Sequence, residues 1–285
     1  MIFEHEIPAG SRLYFGESAR IKRQIERIAS QILEARGFAE ISTPLFSYHQ
    51  HMGVRDDRAL IRLADPQNRE LTLRADSTID VVRLVTKRLG RSVDQKKWFY
   101  IQPVYRYPTE EINQIGAEWL GGELADVLGV MSDLLEALEA EPVYQISNIR
   151  IPRLISEHFN VPLTRFEKMD VAAFLDADLP WLAELARVQS PEDLEKALPN
   201  MPNVLQAELT RMKELADACH CARCVLAPLY YAKMRYYDGL FFRCFAGNTP
   251  LASGGHFVDD DISAAGFALY TDALIETRQK GTQKR

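Results

Sequence analysis

The stretch KWFYIQPVYRYPTEEINQIGAEWL, Lys97–Leu120, decides the fold. Lys97 to Tyr107 is dense in aromatic and β-branched residues, which favour a pleated, half-buried surface, and it reads as a long strand. Pro108 with Thr109-Glu110-Glu111 supplies a short turn. Ile112 to Leu120 reads as the returning strand, so the two form a hairpin that Gly121-Gly122 breaks. Side chains alternate along a strand, so Gln114 and Glu118, four apart, share one face.

Upstream, Ser18 to Arg36 has helical spacing. Ile21, Ile25, Ile28 and Ile32 fall on one stripe with Ala29 and Leu33 beside it, and Gly37 is the stop signal. Each fully buried isoleucine contributes about 1.5–3 kcal/mol, so the stripe is a docking face. Phe38–Ile41 reads as a short strand closed by Thr43-Pro44, and Glu70–Arg74 as another. Ser77–Leu89 reads as a helix with Ile79, Val82, Val85 and Leu89 inward, ended by Gly90. Downstream, Glu123–Glu139 reads as a helix and Val143–Ser147 as a strand.

From about Pro152 to Cys219 the pattern becomes short helices, Phe166–Leu175, Trp181–Val188, Pro191–Leu198 and Val204–Ala218, punctuated by prolines. This is read as a helical insertion at 152–219, between a first core segment at 1–151 and a last one at 220–285. Strand character returns at Val225–Phe245, where Tyr237-Asp238-Gly239 is a hairpin signal. Leu251–Val258 is a further strand candidate and Ile262–Glu276 a closing helix. Hairpin-linked strands with helices between groups give an α+β class with a mostly antiparallel sheet.

The bulk numbers agree with a globular domain. Of 285 residues, 47% are hydrophobic and 26% charged, which excludes disorder, collagen and a disulfide miniprotein. Lys and Arg number 34 against 40 Asp and Glu, a net charge of −6 that argues against broad nucleic-acid binding. No apolar run approaches the ~20 residues that span a bilayer. Met1-Ile2-Phe3-Glu4-His5-Glu6 lacks the pattern of a signal peptide, so a cytoplasmic location is expected. Cys219, Cys221, Cys224 and Cys244 make no disulfide framework and are expected as a reduced, partly buried thiol cluster.

Four segments in order resemble the class II aminoacyl-tRNA synthetase core, its histidyl branch in particular. Gly37–Pro44 looks like the first motif. Leu71-Thr72-Leu73-Arg74-Ala75-Asp76-Ser77-Thr78 looks like the segment that holds the amino group of histidine. Gln102–Tyr107 followed by Gln114–Glu118 looks like the second motif and the strand after it. Met234-Arg235-Tyr236-Tyr237 and Ala252-Ser253-Gly254-Gly255-His256 look like the histidine-specific tyrosine pair and glycine turn. The resemblance implies an antiparallel sheet flanked by helices, with the helical insertion, and self-association as a dimer through the first motif.

It also implies a histidine site made of Asp76, Thr78, Arg106, Gln114, Glu118, Tyr236 and Tyr237. Asp76 stands where the family usually has glutamate, with the same charge one methylene shorter. The chemistry suits the ligand. Asp76 and Glu118 offer negative charge to an ammonium or ring N–H, Arg106 can meet a carboxylate, and the tyrosines can wall an imidazole. Taken singly, each of these polar residues is equally at home in a sheet network of no functional meaning.

What departs from the pattern bears on ATP. Stabilising a developing phosphate charge needs cations. Only seven residues separate Arg106 from Gln114, and the charged ones among them are Glu110 and Glu111. Ala232 stands at a position the histidyl enzymes give to arginine. In Gly266–Leu274 the frame of the third motif is kept with Ala273 in place of its arginine. With Arg285 as the last residue, no anticodon-binding domain is expected.

An amino-acid pocket kept and a nucleotide pocket lost resembles the family of ATP phosphoribosyltransferase regulatory subunits. That resemblance implies a non-catalytic chain without cofactor, metal, nucleic-acid or membrane partner. It implies a hetero-oligomer with the short-form catalytic subunit and feedback inhibition by histidine in the first step of histidine biosynthesis. Two other readings stay open: a degenerate histidyl-tRNA synthetase-like enzyme adenylating an amino acid for a non-tRNA acceptor, and a scaffold without ligand. Three smaller signals are read blandly. Cys219-His220-Cys221-Ala222-Arg223-Cys224 matches no common zinc spacing. His49-Gln50-His51 is expected in a solvent-facing loop, and Asp259-Asp260-Asp261 at a helix N-terminus.

Overall fold

The computed structural model describes residues 3–50, 54, 56–176, 178–219, 221, 223–231, 237–259 and 262–282. The chain divides into two compact units, Met1–Leu120 with Ala268–Arg285, and Gly121–Phe267.

The first unit opens with helix α1, Gly16–Ala35, which buries Ile25, Ala29 and Leu33 completely. The deepest line runs at i, i+4, i+8, and the remaining isoleucines of the stripe are half-buried. Gly37 adopts a φ of 81°. Its N–H bonds to Glu34 and the next N–H, of Phe38, reaches back to Leu33, so the last carbonyls of α1 are satisfied by a Schellman turn that needs glycine. Strand β1, Ala39–Glu40, follows. A small sheet then forms from β2 (Phe46–Ser47), β3 (Arg62–Ala64) and β4 (Glu70–Leu73), in the order β2-β4-β3. Helix α2, Thr78–Arg83, continues as a π-helical turn over Leu84–Leu89.

Strands β5, Lys97–Arg106, and β6, Glu110–Leu120, pair in unbroken register from Lys97↔Trp119 to Arg106↔Glu110. The expected hairpin is present, with its turn shortened to Tyr107-Pro108-Thr109. β1 adds to β5 in parallel. Val81 and Val85 of the helical stretch pack on Trp98 and Tyr100, with Ala39, Ile41, Leu89 and Leu120 around them. This docking fixes the start of α2 over the β5–β6 surface.

Among its described residues the second unit has helix α3 (Leu124–Ala137), β7 (Val143–Asn148), six helices α4–α9 between Arg150 and Ala218, and the strands β8 (Cys224–Leu226), β9 (Tyr237–Ala246), β10 (Thr249–Asp259) and β11 (Ile262–Tyr270). The strand order here is β11-β10-β9-β7-β8, antiparallel at β10–β9–β7 and parallel at β7–β8. The last three residues of β11, with helix α10 (Thr271–Thr282), belong to the first unit, where α10 packs on α1 and β6.

Several local expectations are corrected. Ile262–Tyr270 is a strand and only Thr271 onward is helix. The alternation Ala264, Gly266, Ala268, Tyr270 of a two-faced strand imitates a helical stripe because residues on both faces are small or apolar. Tyr237-Asp238-Gly239 is no turn but the start of β9. The hairpin closes instead at Gly247-Asn248, where Gly247 takes a φ of 57°. Gly254 and Gly255 lie inside β10 rather than in a turn. A Cβ at Gly254 would stand 2.5 Å from the Phe242 ring, and one at Gly255 would stand 2.6 Å from the Tyr237 ring. Finally, Cys219 and Cys221 are disulfide-bonded, with Cys224 and Cys244 as free thiols. Burial, and secondarily Asp217, raises the Cys224 thiol to about 11. Asp259 ends β10 and is not at a helix N-terminus. Asp260, Asp261, His51, His220, Ala222 and Ala232 lie outside the described residues.

Candidate functional site

Five of the seven expected site residues lie on the first unit. Glu118 is set by the β6 pleat on the same face as Gln114 and Gly116, opposite Trp98, Gln102 and Tyr100 respectively. It is 1% exposed. Tyr100, diagonal to it on β5, donates its hydroxyl to Glu118 Oε1 at 3.5 Å. Gly116 makes room for this ring: a Cβ there would fall 2.2 Å from both Cζ and Oη of Tyr100. A glycine in mid-strand marks a close approach, and here that approach carries the phenol to the carboxyl. The other oxygen, Oε2, is buried without a hydrogen-bond partner. Burial pushes the Glu118 carboxyl well above the usual range, and the Asp76 charge adds to that; hydrogen bonds from Thr78 and Tyr100 oppose it.

Thr78 and Asp76 come from the start of α2, so the α2 docking described above brings them to Glu118. Thr78 is buried and Asp76 half-buried, its carboxylate accepting the Ile79 N–H at 3.3 Å. Gln114, 8% exposed, faces Gln102 across the hairpin. Arg106 stands at the far end of β5, half-buried, with a buried Nε that has no partner. Eight residues along β5 separate Arg106 from the partner of Glu118, about 26 Å on an extended strand, with Gln114 midway. The hairpin thus spreads the set along one face. Tyr237 belongs to the second unit, where it is buried and stacked on Phe241 at 5.8 Å. Tyr236 lies outside the described residues.

Several residues that support this face were not singled out from the sequence. Arg74 is buried and spends its guanidinium on backbone oxygens: Pro103 at 2.8 Å, Thr43 at 2.8 Å and Pro44 at 3.4 Å. Desolvation lowers its pKa from the ordinary arginine value. Gln102 donates to Thr43 and Ser77, each at 3.0 Å, and accepts the Thr43 N–H. Gln50, in the segment expected to face solvent, is 2% exposed. The legible signals were Gly116 inside a strand and Asp80 inside the apolar run Ile79–Val82.

The corner beside the β5–β6 turn is built differently. Asp272, in the frame of the third motif, accepts the Asn113 N–H at 2.9 Å and its side-chain amide at 3.1 Å. Tyr14 also donates to Asp272, and burial together with this acid raises the Tyr14 pKa. Arg12 is held between Asp272 at 3.9 Å and Glu276 at 3.4 Å. The N-terminal segment is strapped to the turn: Glu111 N–H donates to the Gly10 carbonyl at 3.0 Å, and Thr109 donates to the Ala9 carbonyl. Ala273, on α10, brings no charge. Among the described residues no group of three or more His, Cys, Asp and Glu side chains could hold a metal ion.

A family model described as histidyl-tRNA synthetase matches residues 14–274. An ATP phosphoribosyltransferase regulatory subunit of Wolinella succinogenes is 48% identical over 277 residues, covering 97% of this chain and 96% of the relative. The chain belongs to the family of ATP phosphoribosyltransferase regulatory subunits, built on the histidyl-tRNA synthetase core. The regulatory subunit of Helicobacter hepaticus is 43% identical over 97% of this chain and 99% of its own length. A crystal structure titled as an ATP phosphoribosyltransferase regulatory subunit/histidyl-tRNA synthetase from Bacillus halodurans matches with a TM-score of 0.85. It covers 97% of this chain and 84% of that one at 22% identity, a likeness of fold. The α+β, class II synthetase-like fold is therefore established. As a member of this family the chain is a regulatory rather than a catalytic subunit, with its role in histidine biosynthesis. No helix among the described residues is long and apolar enough to cross a membrane.

Proposed function

We propose that this chain binds histidine on the β5–β6 face and, in complex with a short-form ATP phosphoribosyltransferase catalytic subunit, makes that enzyme active and subject to inhibition by histidine. The observation that carries the proposal is the state of Glu118: a wholly buried carboxyl with one oxygen unpartnered, facing the start of α2. Leaving a buried polar atom unpaired costs about 1–3 kcal/mol, a cost that a ligand donor recovers. An imidazole N–H or an ammonium group is such a donor, and Asp76 adds charge beside it.

In this reading Glu118, Asp76 and Thr78 take the cationic end of the ligand with Gln114 next along the face, and Arg106, ~26 Å of strand from the Glu118 end, acts on the carboxylate only as a distant positive charge. Tyr236 and Tyr237 keep the part the resemblance implies. The chain pairs with a second copy through α1 and β1, works in the cytoplasm, and carries residues 152–219 as an insertion in the synthetase-like core. Feedback needs histidine to favour one state of the complex over another, typically by ~1–3 kcal/mol of coupling. Reconstitution with a short-form catalytic chain tests this. Activity is expected to appear on mixing and to fall with added L-histidine, and the inhibition curve is expected to shift to higher concentration for Glu118→Gln. Inhibition that is unchanged in that variant would move the effector site elsewhere.

A further inference from the structure

The histidine site proposed above needs Asp76 at a fixed place, yet Asp76 sits in a turn, between β4 and α2. Gln50 brackets that turn with one side-chain amide. Its Oε1 accepts the N–H groups of both Ala75 and Asp76, each at 2.7 Å, and its Nε2 donates to the Asp76 carbonyl at 3.0 Å. The same Nε2 donates to Asp80 Oδ2 at 2.5 Å. Asp80 is 2% exposed and is itself held through Oδ1 by the Ser47 hydroxyl and by Arg83, each at 2.9 Å. Asp80 can only accept from Gln50, so it dictates which way the amide faces and keeps Oε1 on the two N–H groups. Both backbone groups of Asp76 are thereby tied to the Gln50 side chain.

We infer that Gln50 and Asp80 are positioning residues for the Asp76 carboxylate, acting through its backbone and not touching the ligand; this rests on the histidine site proposed above. The pair is a part of the site that the residue-by-residue likeness to synthetases did not assign.

The test is a double-mutant cycle on the full chain, read by calorimetric titration with L-histidine. Gln50→Ala is expected to weaken binding about tenfold, the effect of losing one to two net hydrogen bonds. In an Asp76→Asn background the same change is expected to cost less than about twofold, because a positioning residue has nothing left to position. Gln50→Glu sets two acids face to face and takes the donor from the Asp76 carbonyl, so it is expected to weaken binding at least as much as Gln50→Ala. Equal losses in both backgrounds would overturn the inference. A readout without ligand stands beside it. Amide exchange at Ala75 and Asp76 is expected to accelerate at least about tenfold in Gln50→Ala while the β5–β6 hairpin keeps its protection. If the unmodified protein fails to bind histidine, the site reading fails, and exchange at these two amides alone decides the clamp: acceleration sustains it and unchanged exchange refutes it.

Discussion

The two ends of the β5–β6 hairpin differ in how their polar groups are served. At the Glu118 end, a fully buried carboxyl keeps one oxygen without a partner. Beside the turn, the Asp272 carboxylate is met by Asn113, Tyr14 and Arg12, and Arg12 is divided between two acids, whereas Arg106 at the same end keeps a buried Nε without a partner. Buried groups left wanting are expected where a ligand completes the structure, and satisfied ones where the chain completes itself. Around Asp272 the acids and the cation Arg12 are paired with each other, and the N-terminal segment straps the turn through Gly10 and Ala9.

The largest effect should fall on the open end. Glu118→Gln or Asp76→Ala is expected to weaken L-histidine binding about 10- to 100-fold, the range of a charge-assisted hydrogen bond, measured by calorimetry. Gly116→Ala should come next. Its Cβ would collide with Tyr100, costing about 1–3 kcal/mol of stability in denaturant titration and pulling the phenol off Glu118, so that affinity falls with it. At the closed corner, Asp272→Ala strips partners from Asn113 and Tyr14. It should lower stability by about 1–3 kcal/mol and leave histidine affinity unchanged; a matching loss of affinity would erase the contrast between the two ends.

A smaller effect concerns pH. Glu118 has a raised pKa in the folded chain, so the folded state holds a proton that the unfolded state releases. Its contribution to stability is present below the unfolded carboxyl range and is lost as pH rises toward its folded value. Glu118→Gln removes that loss. Its Tm is expected to exceed that of the parent by about 2–4 °C at pH 8, what ~1 kcal/mol produces in a chain of this size, and by less at pH 5. The smallest change is expected for Arg106→Ala, about threefold in affinity, because Arg106 stands at the turn end of the hairpin and a partly exposed charge pair contributes under ~1 kcal/mol.

Much of this was legible in the sequence. The β5–β6 hairpin, α1 with its glycine stop, and the shared face of Gln114 and Glu118 follow from periodicity and turn residues, which act locally. Hydrophobic spacing indicated one helix over Ile262–Glu276, where the chain runs as strand β11 and then helix α10. Spacing cannot separate the two when both faces of a strand carry small or apolar residues. Gln50, Arg74 and Tyr14 escaped because their partners are 25 to 258 positions away in sequence. Nothing in a local window tells a glutamine that brackets a distant turn from one that faces water. The disulfide between Cys219 and Cys221 also ran against expectation, since composition speaks to disulfide frameworks and not to a single near-neighbour pair.

The contrast between the two ends is tested most directly by one calorimetric series, L-histidine titrated into the full chain with and without magnesium-ATP. Histidine should bind with the same affinity in both, and magnesium-ATP alone should give no binding heat. Binding of ATP, or histidine binding that requires it, would show that the corner around Asp272 is open to nucleotide after all.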